Sequence, residues 1–181
     1  TDFVGFSAFA RTLTAEELVE QIDFYFGAFD DIMTRYCLEK IKTIGDSYMC
    51  VGGIPAYTDN HAHDMVRAAL EIRQFVVNHR DNKMSQYNYP FDIRIGIHTG
   101  PVVAGVVGST KMAFDIWGET VNIASRIEQA CEPDMINISE ATHALIRHEF
   151  DCVYRGRFPA KHIGEVDMYY VSGEREVRSE K

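Results

Sequence analysis

Asp2 and Asp46 each stand where a short apolar run meets a glycine turn, in "TDFVGF" and "TIGDSY". Two carboxylates delivered from adjacent strand ends can hold a pair of hard divalent cations, because Mg²⁺ takes one or two carboxylates together with phosphate oxygens of a substrate. Each Asp taken singly also suits a tight turn. "FVGFSAF" adds a reason to treat them as a pair, since a Gly turn running straight into a helix start offers free backbone amides to a polyphosphate. Ser7 equally fits an ordinary N-cap. Lys42 lies four residues before Asp46. At about 3.3 Å per strand residue their backbones are roughly 13 Å apart, too far for a comfortable salt bridge. The two charges need separate explanations.

A second set of polar residues falls in "AFDIWGETVNIASRIEQ". The spacing predicts a helix from about Glu119 to Cys131, with Val121, Ala124, Ile127 and Cys131 as its buried stripe. Asn122 and Arg126, at i and i+4, then share the opposite, polar face. A solvated face is usually rich in Lys and Glu, whereas an amide and a guanidinium are aligned here; both readings stand on pattern alone. Other candidates fail sooner. His61 and His63 are at i and i+2, which do not face each other on a helix, and "GPVVAGVVGST" lacks the GK[ST] of a phosphate-binding P-loop.

The elements that must carry these residues are legible from periodicity. "TAEE" has capping-box form at Thr14 and Glu17, and Leu18, Ile22, Tyr25, Phe26, Phe29, Ile32, Met33 and Tyr36 follow at helical spacing. "LEKIKTIGDSYMCVGG" reads as a hairpin about Gly45 and Asp46. A second helix is predicted from about His61 to Arg80 on Ala62, Val66, Ala69, Leu70, Phe75 and Val76. Strands are expected at "FDIRIGIHT", "VVAGVVG", "FDIWG" and "MINIS", then a helix at "EATHALIRH" and closing strands "FDCVYRGRF" and "EVDMYYV". The order predicts an α+β sheet with helices packed on one face. The chain is expected to begin inside its first strand, to form one domain over residues 1–172, and to end in a frayed tail at 173–181.

The 181 residues, 46% hydrophobic and 25% charged, suit one globular domain. A net charge of -9 argues against a nucleic-acid partner, which needs a basic face to displace counterions. The longest apolar run is far short of the roughly 20 residues of a membrane span. Cys37, Cys50, Cys131 and Cys152 are scattered without metal-ligand spacing, which predicts buried or half-buried free thiols in a reducing, cytoplasmic compartment. A parent chain could still be membrane-anchored elsewhere.

Taken together, "DFVGFS", "KTIGDSYM", "GIHTGPVVAGVVG" and "DIWGETVNIASRIE" resemble the catalytic domain of class III nucleotidyl cyclases, the adenylyl and guanylyl cyclase family, from Asp2 to about Val171. The resemblance implies a ferredoxin-like core and a head-to-tail homodimer with sites in the cleft between chains. It implies that Asp2, Asp46 and the Phe3 carbonyl bind two Mg²⁺ or Mn²⁺ ions, and that the backbone of Val4, Gly5, Phe6 and Ser7 cradles the terminal phosphates. Lys42 and Asp115 resemble the base-selecting residues of adenylyl cyclases, where guanylyl cyclases typically place Glu and Cys, so the implied substrate is ATP. Asn122 is similar to the residue that positions the ribose, and Arg126 to the one that steadies charge on the α-phosphate. Lys161, in "RFPAKHIGEVDMYYV", corresponds best to a lysine that contacts the outer phosphates; the family's common "VKGKG" reads "AKHIG" here.

The implied reaction is in-line attack of the ribose 3′-oxygen on the α-phosphorus, giving 3′,5′-cyclic AMP and pyrophosphate with two-metal assistance. No side chain stands out as a general base. A regulatory domain upstream in the parent chain is expected. The competing class is a non-catalytic nucleotide-sensing or dimerisation module on the same fold. A sheet that binds single-stranded RNA is disfavoured by charge and by the lack of an aromatic RNP-like stretch.

Overall fold

The computed structural model describes residues 1–82, 91–160 and 164–175. Its first half runs β1 (Asp2–Val4), α1 (Phe6–Ala10), α2 (Ala15–Arg35), β2 (Glu39–Ile44), β3 (Ser47–Val51), α3 (His61–Asp81) and β4 (Asp92–Ile97). The second half adds β5 (Val103–Val107), β6 (Ala113–Trp117), α4 (Glu119–Gln129), β7 (Met135–Ser139), α5 (Glu140–Ile146), β8 (Phe150–Ala160) and β9 (Gly164–Glu174).

Helix α2 starts where its sequence says it should. Thr14 Oγ1 accepts from the Glu17 amide at 3.2 Å, and Glu17 Oε2 accepts from the Thr14 amide at 2.8 Å, so two orphan donors of the first turn are satisfied reciprocally. Its apolar stripe buries Tyr25, Phe26, Phe29, Ile32 and Met33. Helix α3 buries Ala62, Val66, Ala68, Ala69, Ile72 and Val76, while Leu70 and Phe75 of the expected stripe pack at its margin.

The five-stranded sheet has the order β1-β4-β7-β9-β8, with β1 antiparallel and β7 parallel to β4. The β2–β3 hairpin continues it beyond β1: the Tyr48 amide donates to the Thr1 carbonyl at 3.2 Å, and the Thr1 nitrogen donates to the Tyr48 carbonyl at 2.9 Å. The first half therefore reads β1–α2–β2–β3–α3–β4 in spatial order β4-β1-β3-β2, the split βαβ arrangement of a ferredoxin-like core. β5 and β6 form a separate two-stranded hairpin.

Along β4, Ile93, Ile95 and Ile97 point into a core shared with Val66 and Ile72 of α3 and Ile146 of α5. Arg94 and Gly96 face the other way, as the period of two requires. That second face is where α4 lies, so helices flank the sheet on both faces and not on one: a Cβ on Gly96 would come within 2.3 Å of the Glu128 amide nitrogen and 2.5 Å of its Cα. Only a glycine lets the helix backbone rest directly on the strand. The four cysteines are free thiols, as expected, but Cys37 is exposed rather than buried, because it follows the end of α2 in a left-handed turn with φ 53°.

Candidate active site

Asp2 sits on a three-residue strand, and what fixes so short a strand is its neighbour. Phe3 is 3% exposed and packs against Tyr25 and Phe91 at ring-centroid distances of 5.2 Å each. Burial of such a ring contributes roughly 1.5–3 kcal/mol. With Phe3 turned inward, Asp2 is turned to the α4 side, directly opposite Arg94 in the antiparallel register.

Asp46 reaches the same place from the β2–β3 turn, where Gly45 and Asp46 join the paired residues Ile44 and Ser47. Burial, and then the charge of Asp2, push the Asp46 carboxyl above its ordinary value, while the amides of Asp46 and Phe3 pull it down. Ser47 Oγ donates to Asp2 Oδ1 at 3.0 Å.

This donor set fits a hard divalent cation. Glu128 adds a third carboxylate: its carboxyl is raised by burial and by Asp2 and Asp46, against the opposing pull of Arg94. Three acids against one guanidinium leave excess negative charge at half-buried oxygens, which a Mg²⁺-like ion relieves. Among the described residues no group of three or more His, Cys, Asp or Glu is placed to hold a metal ion by itself. A cation here would take the Asp pair and draw further oxygens from a substrate.

Arg94 and Glu128 are the residues that sequence reasoning missed. Arg94 Nη2 donates to Asp2 Oδ2, and Arg94 Nε lies 3.1 Å from Glu128 Oε1. The signal available was an Arg inside the alternating strand "FDIRIGIHT", followed two residues later by a Gly on the same face.

Lys42 and Asp115 are brought together at 2.6 Å, from β2 and β6. The second oxygen of Asp115 accepts from the Ile116 amide at 2.8 Å, and Lys42 followed by that amide holds its carboxyl below the usual range. A bulge aims Lys42. Lys40 pairs with Cys50 but Lys42 with Met49, so Ile41 is an inserted residue that moves Lys42 to the face opposite Lys40. Lys40 accordingly bonds Asp30 of α2 at 2.9 Å, while Lys42 points to β6.

Asn122 and Arg126 lie one turn apart on α4, Asn122 exposed and Arg126 donating to Gln129 at 2.7 Å. Of the expected stripe, Ile127 and Cys131 are buried, and Val121 and Ala124 are half-buried. A cavity of about 770 Å³ opens between the β2–β3 hairpin and α4, lined among others by Asp2, Ser47, Arg94, Asn122 and Glu128. Asp46, Lys42, Asp115 and Arg126 are not among its lining residues. Val4 ends β1, Gly5 turns the chain with φ 74°, and Phe6 and Ser7 begin α1, so Gly5 rather than Ser7 is the N-cap. Lys161 lies outside the described residues.

This fold and this arrangement of acids coincide with a family match over nearly the whole chain. The family described as "Adenylate and Guanylate cyclase catalytic domain" matches residues 1–173, and the chain belongs to it. An adenylate cyclase of Mycobacterium tuberculosis is 34% identical over 172 residues, covering 95% of this chain and 38% of that protein. The receptor-type guanylate cyclase gcy-23 of Caenorhabditis elegans is 38% identical over 181 residues, covering 96% of this chain and 16% of that protein. The chain thus spans well under half the length of these relatives. Among solved structures, the guanylate cyclase domain of RhGC from Catenaria anguillulae, in complex with GTP, superposes with a TM-score of 0.90 at 28% identity, covering 96% of this chain and 93% of that one. Adenylyl- and guanylyl-type relatives are both represented. No helix among the described residues is long and apolar enough to cross a membrane.

Proposed function

We propose that this chain is an adenylyl cyclase domain that converts ATP to 3′,5′-cyclic AMP and pyrophosphate at sites shared between two copies in a head-to-tail homodimer. The observation that carries the substrate is the Lys42–Asp115 pair. It sets a cationic donor beside an anionic acceptor, complementary to adenine, whose edge presents the acceptor N1 beside the donor N6. Guanine in the same seating reverses both groups, leaving each facing its like; a site built to hydrogen-bond one pattern rejects the other strongly.

The case for two copies rests on placement. Within one chain the cavity that Asp2 and Asn122 line takes in none of Asp46, Lys42, Asp115 and Arg126, and the bulge turns Lys42 toward β6. Beside the purine pair, Ile44, Val103, Val106, Val107 and Met112 are more than half exposed, and Trp117 is 40% exposed. Such a face fits a second copy that supplies the missing half of each site.

Asp2, Asp46 and the Phe3 carbonyl would hold the divalent cations, which supply charge at the phosphates and lower the pKa of the ribose 3′-hydroxyl. The Val4–Ser7 turn orients the outer phosphates with backbone amides, and Lys161 adds a cation to them. Lys42 and Asp115 seat the base, and Asn122 holds the ribose in line. Arg126 stabilises the charge that builds on the α-phosphate as the 3′-oxygen bonds to phosphorus and the bond to the β-phosphate oxygen breaks. The hydroxyl proton leaves to water or substrate.

Incubation with Mn²⁺ and either ATP or GTP, with cyclic nucleotides quantified in parallel, tests the reading. Cyclic AMP as the main product is expected. A preference for GTP overturns the substrate assignment, and nucleotide binding without turnover overturns the enzyme reading.

A further inference from the structure

We propose that Arg94 is the resident counter-ion of Asp2 in the acid pair, and that Glu128 is a positioning residue that retains Arg94 when a divalent cation takes Asp2. The proposal rests on reading the acid pair as a cation site.

The backbone dictates the meeting of these three residues. Asp2 and Arg94 are register partners on β1 and β4, so their side chains leave the sheet on the same face. Gly96, two residues further on that face, brings the α4 backbone onto the strand at Glu128. Arg94 is thereby confined between an acid from β1 and an acid from α4, with side chains 28%, 21% and 13% exposed for Arg94, Asp2 and Glu128.

The two contacts of Arg94 are unequal. Its Nη2 hydrogen-bonds Asp2. Its Nε lies 3.1 Å from Glu128 Oε1, yet both atoms are fully buried and neither makes a hydrogen bond. The guanidinium is committed to Asp2 and merely adjacent to Glu128. Buried hydrogen-bonding capacity left unused is costly, and a planar guanidinium can satisfy a carboxylate through two parallel bonds once it is free to rotate. A cation bonding Asp2 displaces Nη2, and Glu128 is the acceptor already in place. Arg94 then stays in the site as a second, fixed positive charge instead of swinging into solvent. Without Glu128, displacing Arg94 from Asp2 leaves a half-buried guanidinium with no carboxylate, and the cation binds less tightly.

The test is Mn²⁺ binding to the nucleotide-free protein, read by the loss of the free-ion electron paramagnetic resonance signal and by calorimetry. Glu128→Gln is expected to weaken binding about tenfold, the usual scale for a residue that orients a metal ligand set. Glu128→Asp keeps the charge but withdraws it by one methylene, so it too is expected to weaken binding several-fold. Arg94→Met removes the competing cation and is expected to tighten binding, with Glu128→Asp then having no further effect. Wild-type affinity in Glu128→Asp beside a weakened Glu128→Gln reduces Glu128 to bulk charge and overturns the proposal, as does unchanged affinity in both. These two variants suffice if Arg94→Met does not fold. Absence of Mn²⁺ binding by the wild-type protein, both nucleotide-free and with a non-hydrolysable ATP analogue, overturns the cation-site reading itself, a result distinct from either.

Discussion

The turn of the β2–β3 hairpin and the middle of its first strand hold opposite kinds of electrostatics. At the turn, Asp46 is pressed against Asp2, with Glu128 behind them, and burial followed by the charge of Asp2 raises the carboxyls of Asp46 and Glu128. On the strand, Lys42 and Asp115 neutralise each other at 2.6 Å with a backbone amide on the remaining oxygen. The first arrangement carries negative charge that its single guanidinium leaves unbalanced. The second is complete in itself and offers a patterned edge to a partner with the complementary pattern. One small hairpin can serve both because a single inserted residue, Ile41, turns Lys42 away from the face that its neighbour Lys40 uses.

Breaking the unbalanced arrangement should have the largest effect. Asp46→Ala removes a proposed cation ligand and is expected to lower the rate of cyclic nucleotide formation by on the order of 10³-fold, measured with saturating ATP and Mn²⁺. Full activity in that variant would sink the assignment of Asp46. Mixing Asp46→Ala with Arg126→Ala asks whether the two residues belong to different sites. If subunits exchange at random in a 1:1 mixture, half the dimers carry one intact site, and about a quarter of wild-type activity should return. Demonstrated exchange without recovery excludes the shared-site model.

Altering the complete arrangement should redirect the enzyme rather than silence it. Lys42→Glu combined with Asp115→Cys is expected to shift the ratio of kcat/KM for ATP over GTP toward GTP by about 10–100-fold, read from paired initial rates. An unchanged ratio would mean that the pair does not read the base.

The smallest effect concerns stability, and its sign distinguishes the two arrangements. The Asp46 carboxyl is raised in the folded protein, so its contribution favours folding below the ordinary value of 3.8 and is lost as pH rises through the raised value. Near neutral pH its charge opposes folding. Asp46→Asn should therefore raise the Tm of the cation-free protein by on the order of 2 °C at pH 7, with the gain vanishing below pH 3.8. Added Mn²⁺ should raise the Tm of the wild-type protein and leave the variant unchanged. A lower Tm for the variant at pH 7 would show that Asp46 stabilises the fold and is under no electrostatic strain.

Much of the scaffold was legible in the chain because local rules suffice for it. The capping box at Thr14 and Glu17, the helical stripe from Tyr25 to Met33 and the alternation of Ile93, Ile95 and Ile97 each concern residues within a few positions of one another. The family motifs also named the acids, the Lys42–Asp115 pair and the Asn122–Arg126 pair without reference to contacts.

What sequence could not supply was the relation between distant elements. Ile41 looks like any strand residue, and its role as a bulge exists only in the pairing of β2 with β3. Arg94 and Glu128 are 34 positions apart and ordinary in type. They become part of the site because Asp2 and Arg94 are register partners, and because the missing side chain of Gly96 lets α4 rest on β4. The chain by itself determined which chemical groups are present and which helices and strands carry them, since propensity and periodicity are short-range. Tertiary structure alone decided which groups share a face, because register, bulges and close backbone approach are properties of paired elements and of no single segment.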